Sequence, residues 1–298
     1  MFKAITLSPE TKNKELDALI RLLDEPSEDV FVKIKEKLVF YGMDAIPVLE
    51  SAWDNSFDNL IQCRIEEIIH NIQQIHLREE LQEWHADNHF DLLKGFYLIS
   101  KYQYPDLDFQ EISNKVEILK RDIWLELNSG LTALEKVKVI NHIIYDIHGL
   151  KGNKANIEAP QNFFVNNLLE SRKGNHLSLG ILYIVIAQKL GIPIFGVDLP
   201  QHFVLAYVDE VHDEKYSVAD ENEVLFYINP FNKGAIFTKN EIDVYIHHLH
   251  LKPVSSYFRP CSNTSIIARL VENLVQTYER LGYHDKVAEL KILLQCLD

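Results

Sequence analysis

The chain has 298 residues, 47% of them hydrophobic, and a formal net charge of −14 at pH 7. That length calls for one large domain or more than one, and that apolar share fills substantial cores. The acidic balance, with no basic block, argues against nucleic-acid and anionic-membrane partners, because holding phosphates needs a surface of Lys and Arg.

The N-terminus MFKAITLSPETKNKELD has no apolar stretch before a small-residue cleavage site, and no apolar run anywhere approaches membrane-spanning length. Cys63, Cys261 and Cys296 lie far apart without a CxxC pair. A cytoplasmic protein with reduced thiols is expected. From about Lys12 to Ile75, four apolar stripes recur at helical spacing: Leu16, Leu19, Ile20 and Leu23; Val30, Ile34 and Leu38; Ile46, Leu49 and Trp53; Ile61, Ile65, Ile68, Ile69 and Ile72. With Pro26 and Gly42 at the breaks, they read as HEAT-like helical hairpins with a solvated charged face.

From Phe90 a helix carrying Leu92, Leu93, Phe96 and Leu98 runs into the breaker YQYPDLD, Tyr102 to Asp108. Asp108 with Glu111, Thr132 with Glu135 and Thr238 with Glu241 have capping-box spacing and open three further helices. The stretch from Gly149 to Asn167 is poorly periodic and is expected to lie over a site. Gly174 to Pro193, GNHLSLGILYIVIAQKLGIP, reads as a turn, a helix apolar on nearly all sides, and a Gly-Ile-Pro stop. Asn175 is placed to cap that helix, with His176 on its first turn, where unpaired N–H groups and the helix dipole favour negative charge.

His202 to Val208 (HFVLAYV) and Val224 to Asn229 (VLFYIN) have the β-branched and aromatic content of buried strands. Paired antiparallel, the start of the first meets the end of the second. His202 and Asn229 then become neighbours, and a helix docked at that edge brings in His176. The expectation is one hydrogen-bonded cluster of His176, His202 and Asn229, with at least one histidine neutral near pH 7 because charging both is unfavourable. Asn175, Ser178 and Gln201 are candidate binding residues beside it. The acidic tip Asp209, Glu210, His212, Asp213 and Glu214 reads as a solvated hairpin end. His247 and His250 read as one surface face of a helix rather than metal ligands. From Thr264 onward, two apolar stripes around LeuGlyTyr form a tetratricopeptide-like helical hairpin.

The order of these motifs resembles the SirB-type branch of the transglutaminase-like core superfamily, a group of bacterial proteins with a segment like LLESRKGNHLSLGILYIVIAQKLGIPIFGVDLPQHFVLAY followed by a strand ending in Asp-Pro-Phe, here Asn229-Pro230-Phe231. The likeness extends from YQYPDLD into the C-terminal helices. It implies an α+β, predominantly α protein: a papain-like core with a small antiparallel sheet, HEAT-like helices before it and the helical hairpin after it. The corresponding boundaries are 1–88, 89–258 and 259–298. In active relatives a nucleophilic cysteine opens the long helix, a base histidine opens the next strand and an orienting aspartate precedes a turn. Those positions correspond to His176, His202 and Asn229.

Asparagine can orient a base histidine, as in Cys-His-Asn proteases, but histidine does not replace a thiolate. Gln201 stands where the branch commonly has glycine. The resemblance and this substitution together imply a non-catalytic protein- or peptide-binding protein with no cofactor. Two alternatives stay open: a residual hydrolase or acyltransferase using His176, His202 and Asn229, and a metal site using His176 and His202. Cys261 has no spacing that would make it a surrogate nucleophile.

Overall fold

A computed structural model of the chain describes residues 9–209 and 223–297. The chain divides into two compact units, 1–80 and 81–298. The first is all helical: α1 (Pro9–Ile20), α2 (Glu28–Phe40), α3 (Ile46–Asn55), and most of α4 (Asn59–Asp87). Its core takes most of the apolar stripes, with Leu16, Leu23, Leu38, Leu49, Ile65 and Ile68 essentially inaccessible to solvent, but Val30 and Trp53 are exposed and Phe31 is buried beside Ile34 and Leu38. Arg64 is buried there. Its guanidinium lies over the Phe31 ring and donates to the carbonyls of Leu23 and Glu25 at 2.8 and 2.7 Å, which satisfies the charge-bearing group where it stands.

The second unit opens with α5 (Leu92–Gln103) and α6 (Phe109–Glu126). Asp108 caps α6 through the Gln110 N–H, but Glu111 does not complete a capping box: it pairs with Lys115 one turn on, at 2.7 Å. The Thr132–Glu135 box does form and opens α7 (Ala133–Asn141), which continues as a π-helical stretch to Ile147. The irregular segment that follows is more structured than its sequence implies. It contains β1 (Lys151–Gly152), a 3-10 turn at Pro160–Phe163, α8 (Val165–Ser171) and β2 (Lys173–Gly174), with β1 and β2 paired in parallel.

The long apolar helix is α9 (His176–Lys189), with Leu177 to Ala187 all buried. Three strands follow where two were expected: β3 (Ile194–Leu199), β4 (His202–Val208) and β5 (Val224–Asn229); the short β6 (Ala235–Phe237) completes an antiparallel sheet of order β3-β4-β5-β6. One face, through Val197, Val204, Ala206 and Tyr227, packs on Ile242 and Ile246 of α10 (Lys239–His248) and on Phe258. The other face takes α9. Phe203 inserts between Gly180 of α9 and Gly196 of β3, where a Cβ would come within 2.7 and 2.5 Å of its ring. Only glycine leaves room for that ring, so this contact sets the depth at which α9 sits on the sheet.

The Thr238–Glu241 box opens α10, but the helix ends at His248. His250 lies beyond it at φ 57°, so His247 and His250 do not share a helical face. The chain closes with α11 (Asn263–Leu281) and α12 (His284–Leu294), turned by Gly282 at φ 78°. The protein is thus α+β and predominantly α, as its motif order implies. Of the acidic hairpin tip, Glu210, His212, Asp213 and Glu214 lie outside the described residues.

Candidate functional site

The start of α9 is capped as its sequence implies. Asn175 Oδ1 accepts from the N–H groups of Leu177 and Ser178 at 3.0 and 2.8 Å, and Ser178 Oγ accepts from the Asn175 N–H at 3.1 Å. This reciprocal box has two consequences. Ser178 is fully buried with its hydroxyl engaged, so it is removed from the set of ligand-facing residues. Asn175 is 1% exposed, and its amide nitrogen has no hydrogen-bond partner.

His202 is delivered by the two-residue turn between β3 and β4, where Leu199 pairs with His202. Gln201 takes φ 62° there, the left-handed conformation that favours glycine. The turn is pinned from two sides. Tyr245 donates its hydroxyl to the Pro200 carbonyl at 2.8 Å, and Arg269 Nη2 donates to the carbonyls of Leu199 and His202 at 2.8 and 3.0 Å. Gln201 therefore keeps the glycine-like backbone although the residue type has changed.

His176 and His202 come together from positions 26 residues apart in sequence. Their rings meet edge to face with centroids 5.8 Å apart, and the His202 ring is also 5.4 Å from that of Tyr245. Desolvation, then the neighbouring His202, then Arg269, lower the His176 pKa to about 4. Partial desolvation lowers His202 as well. Both rings are neutral at pH 7, and no hydrogen bond joins them.

Asn229 does not complete the expected hydrogen-bonded cluster. Its Oδ1 accepts from the N–H groups of Phe231 and Asn232, both at 3.1 Å, capping its own 3-10 turn. The strand register is the physical reason. Leu205 pairs with Ile228, so continuing the ladder one step sets Asn229 level with Val204, not with His202. The turn it caps is anchored elsewhere: Tyr145 donates to the Pro230 carbonyl, and Asn141 Nδ2 to the Gly234 carbonyl, each at 2.8 Å.

His176 and His202 open onto a cleft of about 720 Å³, the size range of ligand sites. Asn175, Gln201 and Phe231 line it, with Glu158 and Phe163 from the segment before α8, which does lie over the site. The opposite wall is α11, through Arg269, Glu272, Asn273, Gln276, Thr277 and Arg280. From its sequence alone this helix belongs to a flanking hairpin. The available signal was a polar stripe, Arg269, Glu272, Asn273, Gln276 and Arg280, at the spacing of one helical face opposite the apolar stripe. Arg269 pairs with Asp198 and Arg280 with Glu158. Burial brings the Arg269 pKa down to about 10, which still leaves it charged at neutral pH.

No described thiol serves this site. Cys261 is half-buried, its Sγ donating to the Gly196 carbonyl, and desolvation pushes its pKa up to about 12. Cys63 belongs to the first unit and Cys296 follows α12. Among the described residues no group of three His, Cys, Asp or Glu side chains converges as a metal would require. Nor is any helix among them long and apolar enough to cross a membrane.

A papain-like pairing of a helix start with a strand-opening histidine, on a small antiparallel sheet, is the arrangement of the transglutaminase-like fold, and comparison agrees. The family model described as "Transglutaminase-like superfamily" matches residues 110–272, more than half of the chain. A UPF0162 protein of Xylella fastidiosa (strain 9a5c) is 25% identical over 209 residues, 68% of this chain and 70% of that protein. Protein SirB1 of Salmonella typhimurium is 21% identical over 205 residues, covering 69% and 71%. F-box only protein 21 of Mus musculus is 24% identical over 245 residues, 75% of this chain but 37% of that longer protein. No solved structure gives a significant match. The chain belongs to the transglutaminase-like superfamily, in its SirB-type branch.

Proposed function

We propose that this protein binds a protein or peptide segment in the His176–His202 cleft and carries out no acyl transfer. One observation carries the reading: the helix start that offers a nucleophile in active relatives offers a neutral imidazole, and neither histidine is oriented by a hydrogen bond to Asn229. Nucleophilic catalysis needs an activated group beside a base held in place. Here Ser178 is closed into the capping box and the half-buried thiol of Cys261 holds its proton. The cleft itself suits a peptide. Asn273 and Gln276 on α11 line it together with the neutral rings, and their amides can pair with an extended backbone. Occurrence of the matched region within a longer F-box protein fits a module that acts by binding. A cytoplasmic setting belongs to the same proposal.

Two measurements test it. Incubation with a fluorescent primary amine and a glutamine-containing peptide should give no incorporation; incorporation abolished by iodoacetamide would sink the non-catalytic reading. Peptides selected by phage display should lose at least tenfold in affinity for Gln276→Trp, which fills the cleft from the α11 wall. Equal affinity for that variant would show that the cleft is not the binding site.

A further inference from the structure

We propose that a groove between α6 and the C-terminal end of α9 is a docking site for an acidic segment of a partner protein that carries an aromatic or aliphatic side chain among its carboxylates. α6 turns Ile112, Val116, Leu119 and Ile123 into the core. Outside that buried stripe, Ile118 is 45% and Trp124 63% exposed, and with Leu190 they line a groove of about 530 Å³. Large apolar side chains left open to water side by side mark an interaction surface, and Trp is a common anchor of such surfaces. The groove is separate from the His176–His202 cleft, because the 14 residues of α9 set Lys189 roughly 20 Å along the helix from His176.

Charge selects the occupant. The chain carries a net charge of −14, yet this groove is lined by Lys120, Arg121 and Lys189 against the one carboxylate of Glu117. Glu117 accepts from Lys189 at 2.8 Å and from Lys120 at 3.2 Å, so it fixes both ammonium groups at the groove while using one proton of each. Arg121 is 65% exposed and reaches the neighbouring Asp122 at 3.3 Å, and His148 meets the other oxygen of that carboxylate at 3.0 Å. With Asp122 counted, the cations Lys120, Arg121 and Lys189 still exceed the carboxylates of Glu117 and Asp122. A partner's carboxylates match the remaining donors, while its apolar side chain covers Trp124 and Ile118. A second copy of this chain is a poorer occupant, since it brings −14 against −14. So is a nucleic acid: the same net charge repels a polyanion, and three cations around apolar side chains form no track for successive phosphates.

Panning a phage-displayed library of random peptides on the full chain, with counter-selection on the double variant Arg121→Glu/Trp124→Ala, tests the proposal. Both side chains are largely exposed and neither holds Glu117, so the variant should keep the circular-dichroism spectrum and melting temperature of the wild type. Arg121→Gln/Trp124→Ser takes its place should the first variant melt lower. Peptides that bind the cleft recognise both forms and drop out. The survivors should share an aromatic or aliphatic residue flanked by Asp or Glu. In fluorescence anisotropy, synthetic copies should lose about tenfold in affinity on the variant, and about tenfold on the wild type when their acids become Asn or Gln. Their binding should also weaken as salt is raised. Enrichment of neutral or basic peptides, affinity that survives replacement of the acids, or no enrichment on the wild type over the variant overturns the proposal. So does concentration-dependent self-association in sedimentation that Trp124→Ala abolishes, which assigns the groove to a second copy.

Discussion

The rings of His176 and His202 stand edge to face at 5.8 Å with no hydrogen bond between them, and His202 adds to the desolvation that depresses the readiness of His176 to take a proton. A thiolate at the first of these positions would gain from the helix terminus and from a neighbouring imidazolium. A second imidazole gains from neither, because both the dipole and the neighbour oppose its charging. The pair is therefore electrically silent at neutral pH.

That silence has a signature in stability. The His176 pKa falls from 6.5 to about 4 on folding, so as pH drops below 6.5 the unfolded chain binds a proton that the folded chain refuses. Stability is lost through that window, by roughly 2 to 3 kcal/mol at pH 4.5 for this group alone. Comparing urea unfolding of the wild type with His176→Gln at pH 7 and pH 4.5 isolates it, since other titrating groups are common to both. The variant should lose less stability by about that amount; identical pH dependence would show that His176 charges freely.

Burial of α9 gives a second test. Ile184 is 1% exposed, so Ile184→Asp introduces an uncompensated carboxylate into the core and should destabilise by more than about 4 kcal/mol or abolish folding. Ile184→Val should cost only about 1 kcal/mol. Thermal unfolding of both variants decides it, and a near-normal melting temperature for the aspartate would mean that this face of α9 is not enclosed.

What the sequence made legible were the features with local causes. The Asn175 cap, the apolar length of α9, the Thr132 and Thr238 boxes, and the strands at His202–Val208 and Val224–Asn229 all follow from neighbouring residues. What it hid depended on distant docking. β3 follows the Gly-Ile-Pro stop so closely that IFGVDL carries no turn signal of its own. The β4–β5 register, two residues out of step with end-to-end pairing and bulged at Tyr207–Val208, moved Asn229 away from the opening of β4. The α11 wall reaches the cleft only through tertiary packing, although its polar stripe was visible.

Phe203 between two glycines gives a third prediction. Gly180→Ala adds a methyl within 2.7 Å of the Phe203 ring, a clash with a packed side chain on a fixed strand. Alanine favours a helix by about 1 kcal/mol over glycine, but overpacking costs about 1 to 3 kcal/mol, so the net effect should be destabilising. Phe203→Leu in the same chain should recover part of the loss. A double-mutant cycle with no coupling between the two positions would show that the methyl is accommodated elsewhere.

Gln201 gives the last. It holds φ 62° because Pro200 before it, the Leu199–His202 pair across it, and the bonds from Tyr245 and Arg269 leave the turn no alternative. A side chain in that conformation costs about 1 to 2 kcal/mol, which glycine avoids, while glycine's extra freedom in the unfolded chain returns part of the difference. Gln201→Gly should therefore stabilise the protein by roughly 0.5 to 1 kcal/mol, a rise of about 2 °C in melting temperature. Its side chain is exposed and lines the cleft, so under the proposed binding function it contacts the bound peptide. The same variant should then bind phage-selected peptides several-fold more weakly while melting higher. If it melts higher and binds equally well, Gln201 is a strained residue with no part in recognition; if it melts lower, the left-handed turn itself is wrong.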